Sequence, residues 1–139
     1  MIKRTSDLRK IELFCDFHGH SKKKNAFMFG CSTFSYHQKP DDRFLERIFP
    51  VLLSKRNENF NFHDCSFAVQ KNREQTARVV MCKSFNVVNS FTLETSFCGP
   101  SLGDFKDCHF TPNHFRVRQI SSQEIGESFC LSLNDFNKA

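Results

Sequence analysis

Segments of strand length alternate along this chain with segments whose apolar residues recur at helical spacing. The strand-like segments are 10–17, 26–31, 62–69, 77–82 and 90–97. The last of them alternates clearly, with Phe91, Leu93, Thr95 and Phe97 on one face. Strands interleaved with helices predict an α/β fold, because each sheet face needs a covering layer.

Two helices are predicted between and after these strands. From Asp41 onward, apolar residues recur every three or four positions, at Phe44, Leu45, Ile48, Val51 and Leu52. Pro50 should kink this helix or separate two short helices. Near the end of the chain, Ser121 and Glu124 have the spacing of a capping box. The helix that this box opens carries an apolar stripe at Ile125, Phe129, Leu133 and Phe136.

Composition bounds the function classes. The 139 residues suffice for one domain or a large piece of one, with a net charge of +5. The charge is mild, and the 18 Phe occur in core-like patterns instead of among basic residues, which argues against nucleic-acid binding. No apolar run approaches the roughly 18 residues of a membrane span, and the N-terminus lacks a secretory pattern. Seven cysteines without a Cys-x-x-Cys pair indicate buried free thiols and a cytoplasmic location.

Two histidines come directly after the first predicted strand, in the sequence Asp-Phe-His-Gly-His-Ser at 16–21. Imidazole is the commonest metal ligand, and side chains at the end of a buried strand often face a cleft. His18 and His20 are therefore candidate metal ligands. Two surface histidines remain the alternative, because a catalytic zinc normally has three protein ligands.

Two charged residues lie within apolar strand-like segments. Glu94 is on the face opposite Phe91 and Leu93, where it could act as a general base or simply face solvent. Arg78, in the segment 77–82, could clamp a substrate carboxylate or be a surface charge at a strand end. The run Lys22–Lys24 is either a solvated loop or, beside the two histidines, a docking surface for an acidic substrate.

Several motifs together closely resemble the cytosolic carboxypeptidase family. The first is Asp-Phe-His-Gly-His-Ser-Lys-Lys-Lys-Asn at 16–25, followed by Phe-Met-Phe-Gly-Cys at 27–31. The resemblance continues through Thr-Ala-Arg-Val-Val-Met at 76–81 and Ser-Phe-Thr-Leu-Glu-Thr-Ser-Phe at 90–97. It ends with His-Phe-Thr at 109–111 and Gly-Glu-Ser-Phe-Cys at 126–130, and so covers nearly the whole chain.

The resemblance implies the fold, the activity and the role of each site residue. It implies part of a zinc-carboxypeptidase fold, a mixed β-sheet flanked by helices, and removal of C-terminal glutamates from acidic tails such as those of tubulin. His18 would be a zinc ligand and Glu94 the catalytic carboxylate. Arg78, His20 and Lys23 would contact substrate. Alternatively, His20 would lie next to the zinc ligands and support them without contacting substrate. Association with microtubules is a further expectation. Zinc would acidify the attacking water and polarise the scissile carbonyl.

The family's other two zinc ligands come from an upstream His-x-x-Glu motif, which this sequence lacks. The residues three positions after its six histidines are Ser21, Lys23, Pro40, Ser66, Pro112 and Val117. We therefore expect residues 1–139 to be the C-terminal half of a catalytic domain, inactive and poorly soluble by itself. The alternative is a non-catalytic half-domain that binds acidic peptide tails.

Overall fold

The computed structural model describes residues 2–32, 44–101, 106, 108 and 120–138, with side chains of the last segment described from residue 124. The helices are α1 (Ile2–Leu8), α2 (Leu45–Arg56), α3 (Ala77–Phe85) and α4 (Ile120–Phe136). The strands are β1 (Leu13–His20), β2 (Ala26–Phe29) and β3 (Asn89–Ser96). Two 3₁₀ turns, Phe62–Asp64 and Lys71–Arg73, lie between α2 and α3.

The three strands form one mixed sheet in the order β1-β3-β2. The central strand β3 runs parallel to β1, from the pair Leu13 and Asn89 to the pair His20 and Ser96. β2 pairs with the other edge of β3 in the antiparallel direction. The prediction of an α/β fold with a mixed sheet is confirmed.

One face of the sheet carries the core. Met28 from β2 and Leu93 from β3 are fully buried there against Phe49 of α2 and Phe129 of α4. Leu133 and Phe136 extend the same contact along α4, so the predicted apolar stripe of the last helix is confirmed. Since alternate strand residues point to opposite faces, Asp16, His18 and His20 of β1 and Thr92 and Glu94 of β3 are directed away from this core.

The segment 77–82 is a helix, and its prediction as a strand was wrong. Two adjacent valines favoured a strand, but the buried residues of α3 follow helical spacing: Arg78, Val79, Met81 and Cys82. Val80 remains 39% exposed. Burial against the sheet at i, i+3 and i+4 therefore overrides the β preference of the two valines.

The segment 62–69 is also not a regular strand. It opens with the 3₁₀ turn Phe62–Asp64 and then meets β2 in a single parallel bridge between Phe29 and Ser66. Ser66 donates its N–H to the carbonyl of Met28 at 3.0 Å, and Gly30 donates to the carbonyl of Ser66 at 2.9 Å. The segment thus lies along the β2 edge without forming a full ladder.

Three predicted boundaries were wrong. β1 continues through His20, whereas the sequence pattern ended it at 17, because both histidines pair with β3. α2 is one continuous helix across Pro50, so Pro50 does not separate two short helices; burial of Phe49 and Leu53 outweighs the lost backbone hydrogen bond. α4 already includes Ile120, so Ser121 is inside the helix and is not its cap. Residues 41–43 of the helix predicted from Asp41, and residues 109–111 of the last motifs, lie outside the described residues.

The cysteines are free thiols, as expected, but the prediction that they are buried holds fully only for Cys31 and Cys82, and Cys130 is exposed. None of the helices described is long and apolar enough to cross a bilayer.

Candidate functional site

His18 and Glu94 are direct neighbours across the parallel pair β1 and β3. Residues paired in register point to the same face of a sheet, so both side chains project from the face opposite the core. Asp16 and Thr92 form the preceding pair on that face. The two residues that were singled out separately in the sequence are therefore brought together by the backbone ladder.

This face of the sheet forms one side of an open cleft of about 540 Å³. β1 and the turn after it contribute Asp16, His18, Gly19, His20, Ser21 and Lys22. β2, β3 and α3 contribute Phe29, Thr92, Glu94 and Arg78, and the segment between α2 and α3 contributes Ser66, Ala68, Gln70, Arg73 and Thr76. Basic, acidic and imidazole groups thus share one solvent-accessible cavity, as in many binding sites.

The imidazole of His18 is held by its neighbour on the same strand face. Its Nε2 lies 2.9 Å from Oδ2 of Asp16, and its side chain is 53% exposed. Because the carboxylate can only accept, Nε2 carries the proton of this contact. The Nδ1 edge of His18 is then the edge that can accept a hydrogen bond or bind a metal.

His20 is tied to the turn that follows it. Its Nδ1 lies 3.1 Å from the backbone N of both Lys22 and Lys23, which donate to it. Its ring packs edge-on against Phe27 at a centroid distance of 5.0 Å. His20 therefore lines the cleft while its backbone-facing nitrogen is occupied.

Lys23 is not among the residues that line the cleft, whereas Lys22 is. The ammonium of Lys23 lies 3.0 Å from Oδ1 of Asp64 and 4.8 Å from the centroid of the Phe27 ring. These contacts tie it to the 3₁₀ turn Phe62–Asp64, which follows α2. The structure thus brings four of the five predicted site residues together and places Lys23 outside the cleft.

Arg78 lies in the first turn of α3, where it is buried to 7% exposure yet reaches the cleft. Its Nε donates to the carbonyl of Gly30 at 3.4 Å, and its guanidinium lies 5.4 Å from the centroid of the Phe29 ring. Its own carbonyl accepts from the hydroxyl of Ser90 at 2.6 Å. The helix and β2 together fix this cation at the cleft.

The sequence did not reveal Gln70, Arg73 or Thr76 as residues of the site. They belong to an irregular segment that has no periodicity to place it against the sheet. The available signal was Thr76, the first residue of the motif 76–81 that contains Arg78. Its hydroxyl donates to the carbonyl of Arg73 at 2.8 Å, which closes the turn into α3.

Within the described part of the chain, no group of three or more His, Cys, Asp or Glu side chains is arranged to hold a metal ion. His18 suits zinc in its ligand type and in the accessible edge of its ring. One ligand does not hold zinc in a catalytic geometry, so the described residues do not fit a complete zinc site. Any such site needs donors from outside them.

Comparison with known proteins identifies relatives over almost the whole chain. Cytosolic carboxypeptidase 3 of the mouse is 44% identical over 137 residues, which are 98% of this chain and 13% of the relative. Human cytosolic carboxypeptidase 2 is 41% identical over 137 residues, which are 98% of this chain and 14% of the relative. The chain is a homologue of one segment of the cytosolic carboxypeptidases.

The fold agrees with this relationship. The crystal structure of a metallo-carboxypeptidase from Burkholderia cenocepacia superposes with a TM-score of 0.60 over 97% of this chain and 34% of that chain, at 14% identity. No family model matches the sequence. The cytosolic carboxypeptidase homologue thus has part of a metallo-carboxypeptidase fold and spans about an eighth of the curated relatives' length.

Proposed function

We propose that this chain is the C-terminal half of the catalytic domain of a zinc-dependent carboxypeptidase that removes C-terminal glutamates from acidic protein tails. The observation that carries the proposal is the pairing of His18 with Glu94 on the floor of the cleft, with Arg78 at its side. Three residues of different chemistry, from three separate elements, converge there. The relatives' names supply the reaction class.

Glu94 is the proposed general base. Its carboxylate makes no hydrogen bond or ion pair within the described residues, although it is on the cleft face beside an imidazole. It is therefore available to take a proton from the attacking water and to return one to the leaving amine. His18 would be one zinc ligand, and the remaining ligands would come from sequence outside the described residues.

Arg78 is the proposed binding residue for the side-chain carboxylate of the terminal glutamate. A guanidinium forms two parallel hydrogen bonds with a carboxylate, and partial burial strengthens this contact. Since Arg78 is already ordered by Gly30 and Phe29, little side-chain entropy is lost when the substrate binds.

Acidic tails such as those of tubulin are the proposed substrates, in the cytoplasm and in association with microtubules. Lys22, Arg73 and Arg78 give the cleft three cations beside the two carboxylates Asp16 and Glu94. An acidic peptide is attracted to such an opening. Lys23 would act by ordering the turn through Asp64, and not by direct contact in the cleft.

The 139 residues alone are proposed to be inactive, because the described residues contain no complete set of zinc ligands. Sequencing of the full-length transcript tests first whether the missing zinc ligands are encoded upstream of residue 1. An in-frame upstream segment that encodes His-x-x-Glu would support the proposal. A coding sequence that starts at Met1 would contradict the assignment to half of a catalytic domain and would favour the binding module described below.

The role of Glu94 is tested in the full-length protein with a synthetic peptide that ends in glutamates. Glu94→Gln should lower kcat for glutamate release by roughly 100- to 10,000-fold, the range for loss of a general base. Glu127→Gln, at an exposed position of α4, serves as the matched control and should keep full activity. Near-normal release by Glu94→Gln would exclude the proposed role.

The second candidate is a non-catalytic module that binds acidic tails, and the incomplete ligand set favours it. If the purified chain binds a polyglutamate peptide in the absence of zinc, with an affinity that falls as salt rises, this candidate gains support. Glu94 argues against it, because a carboxylate in the cleft repels an acidic ligand.

A further inference from the structure

His20 differs from His18 in the edge of the ring that it leaves accessible. Both side chains project from the same face of β1, because they are two residues apart on one strand. His18 uses Nε2 for Asp16, whereas His20 uses Nδ1 for the backbone. The neighbouring histidines therefore present opposite ring edges to the cleft.

The proton on His20 is located by its partners. Both groups at Nδ1 are backbone N–H groups, of Lys22 and Lys23, and these can only donate. Nδ1 must therefore carry its lone pair, and the proton of the neutral ring is on Nε2. Nε2 makes no hydrogen bond within the described residues, although the ring lines the cleft.

We propose that the Nε2–H of His20 is a substrate-binding donor, which contacts an oxygen of the acidic peptide other than the carboxylate at Arg78. The two rings of Phe27 and Phe29, 5.5 Å apart, connect His20 to Arg78 along the cleft face of β2. Two aromatic rings thus lie in the row between the imidazole of His20 and the guanidinium of Arg78, which favours a separate substrate oxygen for each of them. This inference rests on the proposed function, since it names a second contact for the same substrate.

The geometry also excludes His20 from metal binding through Nδ1, because that lone pair is already used twice. The backbone of His20 is fixed as well, since its carbonyl accepts from the N–H of Phe97 at 2.8 Å. A donor that is fixed before the ligand arrives loses little entropy on binding. His20 is thus suited to orient substrate, and His18 to bind metal.

The substitution His20→Asn separates the two roles of the ring. Asn61 and Asn57 show that an asparagine Oδ1 accepts from the backbone N two residues later in this fold, at 3.1 and 2.9 Å. Asn at position 20 should therefore keep the turn but lose the Nε2 donor. His20→Gln keeps an amide donor near the Nε2 position and loses the acceptor for the turn.

In the full-length protein, His20→Asn should raise KM for a synthetic peptide with three C-terminal glutamates roughly tenfold, with a much smaller change in kcat. His20→Gln should recover part of this loss. His63→Asn, outside this cleft, is the matched control and should leave KM unchanged. An unchanged KM in His20→Asn would overturn the proposal.

A measurement independent of catalysis uses the 139-residue chain with ¹⁵N-labelled histidine. Long-range ¹H–¹⁵N spectra of the rings should show His20 in one tautomer, with the proton on Nε2. Nitrogen shifts averaged between two tautomers would overturn the assignment. If the wild-type enzyme releases no glutamate, the proposed function fails, whereas the spectra still decide which tautomer His20 adopts.

Discussion

Arg78 shows how one side chain can be both buried and functional. Its main-chain carbonyl is bonded to Ser90 of β3, and its guanidinium is placed by Gly30 and Phe29 at the end of β2. The thiol of Cys31 also lies 3.8 Å from the Arg78 carbonyl. Because several elements fix this residue, its cation has a defined position in the cleft before any ligand arrives.

Arg78→Gln should reduce the selectivity for glutamate over glutamine at the C-terminus of a peptide. We expect the ratio of the two kcat/KM values to fall roughly 10- to 100-fold, since a charge-assisted bidentate contact is lost. Lys83→Gln is the control on the same helix, at a residue that does not line the cleft. An unaltered ratio would refute the assignment of Arg78 to the substrate side chain.

Buried thiols make stability sensitive to alkaline pH. Burial raises the pKa of the Cys15 thiol to about 12, and burial likewise raises the pKa of the Cys65 thiol to about 11, from 9.0. A hydrogen bond with Cys82, followed by burial, also raises the pKa of Cys31. Between pH 9.0 and about 11 the unfolded chain loses these protons while the folded chain keeps them.

The free energy of unfolding should therefore be unaffected by these thiols below pH 9.0 and should fall as the pH rises above it. Urea unfolding measured across this range tests the sign. Cys15→Val removes one of the titrating groups, so its stability should fall less steeply than that of the wild type. Parallel pH profiles for the two proteins would contradict the prediction.

At the scale of secondary structure, tertiary contacts decided the elements that sequence patterns predicted wrongly. The strand 90–97 and the last helix were predictable, because their apolar periodicity matches the face they bury. The helical structure of the segment 77–82 was not predictable. Its two adjacent valines favour a strand locally, whereas the residues that it buries have helical spacing. The pairing of His18 with Glu94 was unpredictable from spacing, because it depends on strand order and register. Resemblance to a family supplied what periodicity could not.

The junction after β2 should be sensitive to added volume. A Cβ on Gly30 would lie 2.7 Å from Cδ1 of Phe67 and 3.3 Å from Cδ1 of Phe91, both of which are in the core. We expect Gly30→Ala to lower the free energy of unfolding by about 1–3 kcal/mol. Urea titration followed by circular dichroism measures the change.

Gly126 provides a control for that substitution, because it lies inside α4 and a Cβ there would meet no heavy atom within 4 Å. Alanine there should stabilise the chain by about 0.5–1 kcal/mol, through the higher helix propensity of alanine. Because Gly30→Ala should destabilise the chain and Gly126→Ala should stabilise it, the two variants distinguish steric crowding by the added methyl group from the effect of alanine on the backbone. Stabilisation by alanine at both positions would show that the core at Gly30 adapts to the extra methyl group.

At the scale of the whole molecule, the sheet has an edge that the described residues leave uncovered. Among them, β1 pairs only with β3. Phe17 is 58% exposed on β1, and Phe97, 54% exposed, has its ring over Gly19 of the same strand. An open strand edge beside exposed aromatic rings favours association between chains.

The isolated chain should therefore self-associate as its concentration rises, which light scattering or sedimentation measures. Phe17→Ser should weaken this association. Leu8→Ser changes a residue that is 75% exposed on α1, a helix without buried residues, and should have little effect. A monomer with a sharp cooperative melt at all concentrations would contradict the prediction.

The ladder between β1 and β3 also determines which changes in chain length the site tolerates. His18 and Glu94 are distant in sequence and are aligned only by the hydrogen bonds between their strands. Insertions in the chain that connects these strands leave the pair intact, whereas one residue gained or lost within either strand turns its side chain to the core face. Natural variants should therefore differ in length between the two strands and keep constant length within them.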